Sequence, residues 1–177
     1  MKTPPIPVLF AAMLVSCVAS KDATRTHDAG QSKQAFEMIC SLAGKWRGTT
    51  TATDHTGAVD LVYEVVSGGS VVLERLHPGA PTEMISMYHL DGDRLLMTHY
   101  CVLGNQPRME LEAFSPAPEP TAAFSFRDAT NWKGPGELVM HDVRLSAIDA
   151  NHLAATWCAW QNGVLNHSSS FTFERVQ

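Results

Sequence analysis

Apolar and polar residues alternate with a period of two through almost all of the chain after Lys45, and only once before it does the spacing lengthen to a helical period. The exception is the stretch from Ser32, where Ala35, Phe36, Ile39, Cys40 and Leu42 fall on one helical face. Ser32 is placed to cap that helix and Gly44 to end it. Beyond it the alternation predicts strands near 45–53, 59–66, 70–77, 82–89, 94–102, 106–114, 121–127, 137–147, 153–160 and 164–176. The segments between them are turn chemistry: Ser67-Gly-Gly69, Pro78-Gly-Ala-Pro81, Asp91-Gly92, Gly104-Asn105, the proline-rich 116–120 stretch, Asp149-Ala-Asn151 and Asn162-Gly163. Glycine and asparagine accept positive φ, and proline cannot donate to a ladder. Ten evenly spaced strands joined by hairpins predict an all-β fold, an up-and-down meander. Such a meander protects its edges best by closing into a single antiparallel barrel behind one N-terminal helix.

The Asp91-Gly92 turn sets the faces of one hairpin. Taken as a two-residue loop, it pairs Tyr88 with Leu95, Ser86 with Met97 and Met84 with His99. One face then carries Met84, Ser86, Tyr88, Leu95, Met97, His99 and Cys101, and the opposite face is more charged. The first face is the candidate interior. In the later strands His141 alternates with Val139, Val143 and Leu145, and His167 with Ser169, Phe171 and Phe173. Met84, Tyr88, Met97, His99, His141 and Phe171 are therefore the candidate pocket residues. Tyr63 has the amphipathic character to line such a space or to pack beside it.

Residues 1–31 follow a different grammar. Lys2 precedes a short apolar run, Val8 to Val15, which is too short to span a bilayer and ends in Leu14-Val15-Ser16-Cys17. Those four residues resemble the bacterial lipoprotein signal. The resemblance implies cleavage after Ser16 and acylation of Cys17, against the competing reading of an ordinary signal cut near Ala19. Residues 1–16 are then signal peptide, 17–31 a lipidated cysteine with a polar tether, and 32–177 the barrel domain. Val18 follows the cysteine without an aspartate, which by resemblance to known sorting rules implies the outer membrane of a Gram-negative envelope, at its periplasmic face or the cell surface.

The whole chain has 177 residues and a net charge of −5; without residues 1–16 it carries 12 basic and 18 acidic residues. An acidic body gains nothing from anionic lipid, so the acyl group supplies the membrane attachment. No cluster of Lys or Arg exists to displace counterions from phosphates, which excludes nucleic acid as a partner. Cys40, Cys101 and Cys158 lack the spacing of a metal knuckle and read as buried apolar thiols.

Leu42-Ala-Gly44-Lys-Trp46-Arg-Gly48, with Phe171, Phe173 and Arg175 alternating in the last strand, resembles the calycin superfamily of lipocalins and fatty-acid-binding proteins. The resemblance implies that Trp46 closes one barrel end and that Arg175 lies across it, both in structural roles. Met84 to Asp93 and Thr98 to Met109 resemble bacterial lipocalin-like proteins of unknown function, over essentially all of 35–177. Nitrobindins, which bind haem, share the ten-stranded barrel, but their opening motif differs from Gly44-Lys-Trp46-Arg-Gly48.

Chemistry-bearing motifs are scarce. The chain has no nucleophile elbow, no zinc-protease helix, no phosphate-cradling loop and no dinucleotide fingerprint. Glu110 and Glu112 alternate on what reads as a solvated strand face, and Asn105 to Arg108 as a loop at a barrel mouth. Met84, Met97, His99 and Cys101 share a face, but thioether-rich faces are ordinarily core, so no metal is assigned. The expected function is a monomeric, lipid-anchored barrel holding a small hydrophobic or amphipathic molecule. Its rivals are an enzyme using an interior histidine as acid or base, a haem-binding barrel, and a filled barrel serving structure or protein contact. No cofactor is assigned; haem is the one candidate considered. The anchoring expectation is tested directly: in a bacterial host the chain should take up labelled palmitate and sediment with membranes. Cys17→Ser should do neither.

Overall fold

The computed structural model describes residues 28–52 and 57–177. The signal segment, Cys17 and most of the tether lie outside the described residues. Helix α1 spans Ala29–Ser41 and is followed by ten strands: β1 Gly44–Thr50, β2 Val59–Val66, β3 Val71–Leu76, β4 Met84–Asp91, β5 Arg94–Tyr100, β6 Gln106–Ser115, β7 Thr121–Thr130, β8 Val139–Ala147, β9 His152–Gln161 and β10 Val164–Arg175. Each strand pairs antiparallel with the next, and β1 pairs antiparallel with β10, so the sheet is a closed barrel. This is the all-β meander behind one helix that the alternation predicts, and it fits a calycin-like architecture.

Two local expectations change. Asp28, not Ser32, caps the helix: its Oδ1 accepts from the backbone N–H groups of Gly30 at 2.8 Å and Gln31 at 3.2 Å. Capping one turn earlier makes Ser32 a helical residue, and it is buried. In the β4–β5 hairpin the loop residues are Gly92 and Asp93, with Asp91 opposite Arg94. Gly92 takes a φ of 64° at the first loop position, the requirement of a type II′ turn. The true partners are therefore Tyr88 with Met97 and Ser86 with His99. A shift of two residues preserves the faces, so Ser86, Tyr88, Leu95, Met97, His99 and Cys101 are all buried together. The β9–β10 turn solves the same problem differently. Asn162 and Gly163 both have positive φ there, as type I′ demands.

One end of the barrel is plugged by α1. Ala35, Phe36, Met38, Ile39 and Leu42 are buried and belong to the same apolar cluster as Tyr88, Leu95 and Met97 of the barrel wall. The plug is fastened where β1 meets β10. Trp46, 1% exposed, donates its indole N–H to the Leu42 carbonyl at 2.8 Å. Trp46 and Arg175 are cross-strand neighbours, and the guanidinium carbon stands 4.1 Å from the indole centroid. Arg175 also donates to the carbonyls of Ala43 at 2.7 Å, Ser41 at 3.2 Å and Ala150 at 2.8 Å. Two of those carbonyls lie at or just beyond the C-terminal end of the helix, where positive charge is favoured. The β1–β10 contact is also close along the backbone: a Cβ on Gly48 would sit 1.8 Å from the Thr172 carbonyl oxygen.

Arg175→Ala should therefore lower unfolding free energy by about 2–3 kcal/mol in urea denaturation, from the lost cation–π contact and the stranded carbonyls. Arg175→Lys should recover less than half of that loss, because an ammonium cannot reach three carbonyls in a planar fork.

Candidate functional site

The strands that run away from the helix plug carry their inward residues into two different environments. Near the plug the interior is solid. Tyr63, Tyr88, Leu95, Met97, Phe124, Leu145 and Leu153 are all at most 2% exposed, and Tyr88 meets Phe124 edge-on at 5.7 Å. Toward the other end the side chains part around a cavity of about 310 Å³. This is at the lower end of the range of small-molecule sites. Its walls come from the far ends of β1, β3, β4, β5, β8, β9 and β10 and from the loops after β3 and β5. Leu76, Met84, Leu138, Met140, Trp157 and Phe171 are among its apolar lining residues; His77 and His167 stand with Val102 and Leu103 among the more exposed ones. Among the described residues the lining contains no Lys, Arg, Asp or Glu.

The floor between solid core and cavity is polar and fully buried. Glu74 on β3 accepts from the hydroxyls of Tyr63 and Tyr88, both at 2.7 Å to the same oxygen. Its other oxygen accepts from Ser86 at 3.2 Å, and Ser86 Oγ is 3.0 Å from His99 Nδ1. Burial pushes the Glu74 carboxyl up from its ordinary value, while the three hydroxyl donors oppose that shift. Burial, and next to it the Glu74 carboxylate, push both tyrosine hydroxyls well above the usual phenol value, so they remain donors. His99 is 3% exposed, its ring lies 4.7 Å from that of Trp157, and desolvation pulls its pKa down to about 4. It is a neutral imidazole at physiological pH.

The sequence-predicted pocket residues divide into three groups. Met84, His99 and Phe171 line the cavity. Tyr88 and Met97 point inward but lie beneath it, fully buried in the solid half, because the helix plug fills that end. His141 is on the outer wall. A β-bulge between Met140 and Asp142 breaks the alternation, leaving Met140 in the cavity and turning His141 outward. There the imidazole is stacked between Phe126 at 5.1 Å and Trp160 at 4.5 Å, and Asp142 accepts from the Trp160 indole at 2.9 Å.

Other residues also depart from the expectation. Glu110 is buried, 6% exposed, with Arg127 at 3.9 Å, on the face it shares with its cross-strand partners Leu96 and Ser125, whereas Glu112 is exposed. Asn105 is buried and ties its loop to the Leu138 carbonyl at 2.9 Å, while Gln106 to Arg108 belong to β6. Cys40 and Cys101 are free thiols, and burial raises the pKa of each; Cys158 is disulfide-bonded, which corrects the expectation of three thiols. Among the described residues no three His, Cys, Asp or Glu side chains come together as a metal site.

Sequence reasoning passed over Glu74 and Trp157. The signal for Glu74 was present, since Val72, Glu74 and Leu76 alternate onto one face. Trp157 could be placed inward by the same alternation with Leu153 and Ala155, but its contact with His99 crosses the barrel and has no sequence signature.

The burial of His99 has a consequence for acid stability. Unfolded, its imidazole binds a proton below about pH 6.5; folded, it does so only below about pH 4. Acid therefore favours the unfolded chain within that window. The resulting loss should grow to about 3 kcal/mol by pH 4. Urea melts across this range should show the slope in the wild type and a clearly flatter one in His99→Phe.

No family model matches this chain, and no curated protein matches it. Solved structures do. Rv2717c from M. tuberculosis aligns over 81% of this chain and 98% of its own, with a TM-score of 0.59 and 13% identity. A protein of unknown function from the DUF3598 family of Nostoc punctiforme PCC 73102 aligns over 78% of this chain and 49% of its own, with a TM-score of 0.49 and 16% identity. The likeness to Rv2717c, at 13% identity, is a likeness of fold.

Proposed function

We propose that this protein is a container: a barrel, tethered to an envelope membrane through acylated Cys17, that holds one small apolar or amphipathic molecule in the cavity opposite its helix plug. The observation that carries this reading is the cavity itself, about 310 Å³ of largely apolar wall with one buried imidazole at its floor. Apolar enclosure with a few fixed polar groups is the usual composition of a small-molecule site. A barrel built only for structure gains nothing from leaving this end unfilled, since empty space forfeits packing energy. Val102 and Leu103, 55% and 46% exposed, form an apolar lip where a poorly soluble molecule can enter. The acid–base alternative fits less well. A general acid needs a proton to give near neutral pH, and His99 with a pKa of about 4 has none.

Ser169 lines the cavity opposite Trp157 on the neighbouring strand, so a larger side chain there fills the space without touching the plug. The purified domain should enhance Nile red fluorescence saturably. Ser169→Phe should weaken that binding about tenfold or more, with an unchanged circular dichroism spectrum. Equal binding by the two proteins would count against the cavity as the container.

A further inference from the structure

The floor of the cavity is a chain of hydrogen bonds with a direction. Tyr63 and Tyr88 each have one hydroxyl proton, and both are spent on the same oxygen of Glu74. Ser86 also has a single hydroxyl proton, which it gives to the other oxygen of Glu74. Its contact with His99 Nδ1 at 3.0 Å must then run the opposite way, with Nδ1–H donating to Ser86 Oγ. That arrangement fixes one tautomer. Nε2 then carries no proton, and the one hydrogen bond of His99 among the described residues is made through Nδ1, on a ring that lines the cavity.

We infer that the cavity selects a neutral apolar molecule whose single polar group is a hydrogen-bond donor, a hydroxyl or N–H, received by the lone pair of His99 Nε2, and that it rejects carboxylates. This rests on the container reading and names the class of its ligand. Two features beyond the tautomer support it. First, the described lining offers no Lys or Arg to neutralise an anion. Second, both oxygens of Glu74, behind Ser86 and His99, are taken up in accepting hydroxyls, so the floor has no spare donor for a carboxylate, which would meet the Nε2 lone pair instead. A ligand hydroxyl, by contrast, gains a bond to an acceptor for which the described residues supply no donor. The ring packs against Trp157 at 4.7 Å while its Nδ1 edge is tied to Ser86.

Two measurements on the folded protein test this. A long-range ¹H–¹⁵N spectrum of labelled protein at about pH 7 should show His99 protonated at Nδ1 and bare at Nε2. The opposite tautomer, which would require Glu74 to carry the proton and reverse the chain, overturns the inference. Binding of 1-decanol, decyl methyl ether and decanoate is then compared by displacement of Nile red at about pH 8. Decanol should bind about five- to tenfold tighter than the ether, and decanoate weakest of the three. In His99→Phe the alcohol and the ether should become equivalent. Decanoate binding as tightly as decanol, or an ether as good as the alcohol, overturns the inference while leaving the container intact. A Soret band on hemin titration that disappears in His99→Phe would also overturn it, by giving Nε2 to an iron. If neither Nile red nor any of the three probes binds, the container reading itself fails; the spectrum still decides the direction of the chain.

Discussion

Pairing of β1 with β10 removes the two free edges that a ten-stranded meander would otherwise expose, and the rest of the interior depends on that closure. It is secured at a single place. Trp46 reaches back to the end of the helix through its indole N–H, and Arg175 lies on the indole face while holding three carbonyls. The same few side chains thus join the first strand, the last strand, the helix terminus and the turn before β9. Gly48 lets the two backbones approach at a distance no side chain would permit. Once that end is closed by the helix, the apolar residues of α1 fill it, and any empty space must lie at the other end.

At the boundary between filled and empty the chain places three buried polar groups, Glu74, Ser86 and His99. A carboxylate in a barrel interior is costly unless its lone pairs are met, and here three hydroxyls meet them. Two of the three come from tyrosines whose rings belong to the solid core, so the network is held rigid by packing on one side. On the other side it ends in His99, whose second nitrogen is left to the cavity. Burial keeps that imidazole neutral, which makes it an acceptor and a poor proton donor across the physiological range. In the proposed container the chemistry of the cavity is set by this acceptor in an apolar surround.

The outer wall has its own order. The bulge at 140–142 turns His141 away from the cavity and into a stack with Phe126 and Trp160, while Asp142 bonds the Trp160 indole. That stack spans β7, β8 and β9 on the surface opposite the inward residues Val143 and Trp157. One extra residue in a strand thus separates two histidines that simple alternation would have placed together.

What the sequence determined by itself is whatever depends on near neighbours. Period-two alternation and turn residues located ten strands and one helix to within a few positions, because both signals are local. They also put Met84, His99 and Phe171 on the cavity side. Even the misplaced β4–β5 turn kept its faces, since an error of two residues does not change parity. Only the tertiary structure decided the rest. A bulge in β8 inverted His141, and nothing local announces an unpaired residue in a ladder; Glu110 kept its face beside Leu96 and Ser125 but is buried there, which only the assembled strands decide. Tyr88 and Met97 became floor instead of lining because a helix far from them in sequence fills their end of the barrel. Glu74, Ser86 and His99 are on three strands, and the direction of their hydrogen bonds exists only once those strands are side by side. Alternation specifies which way a side chain points; which partner it meets there is fixed by closure of the barrel.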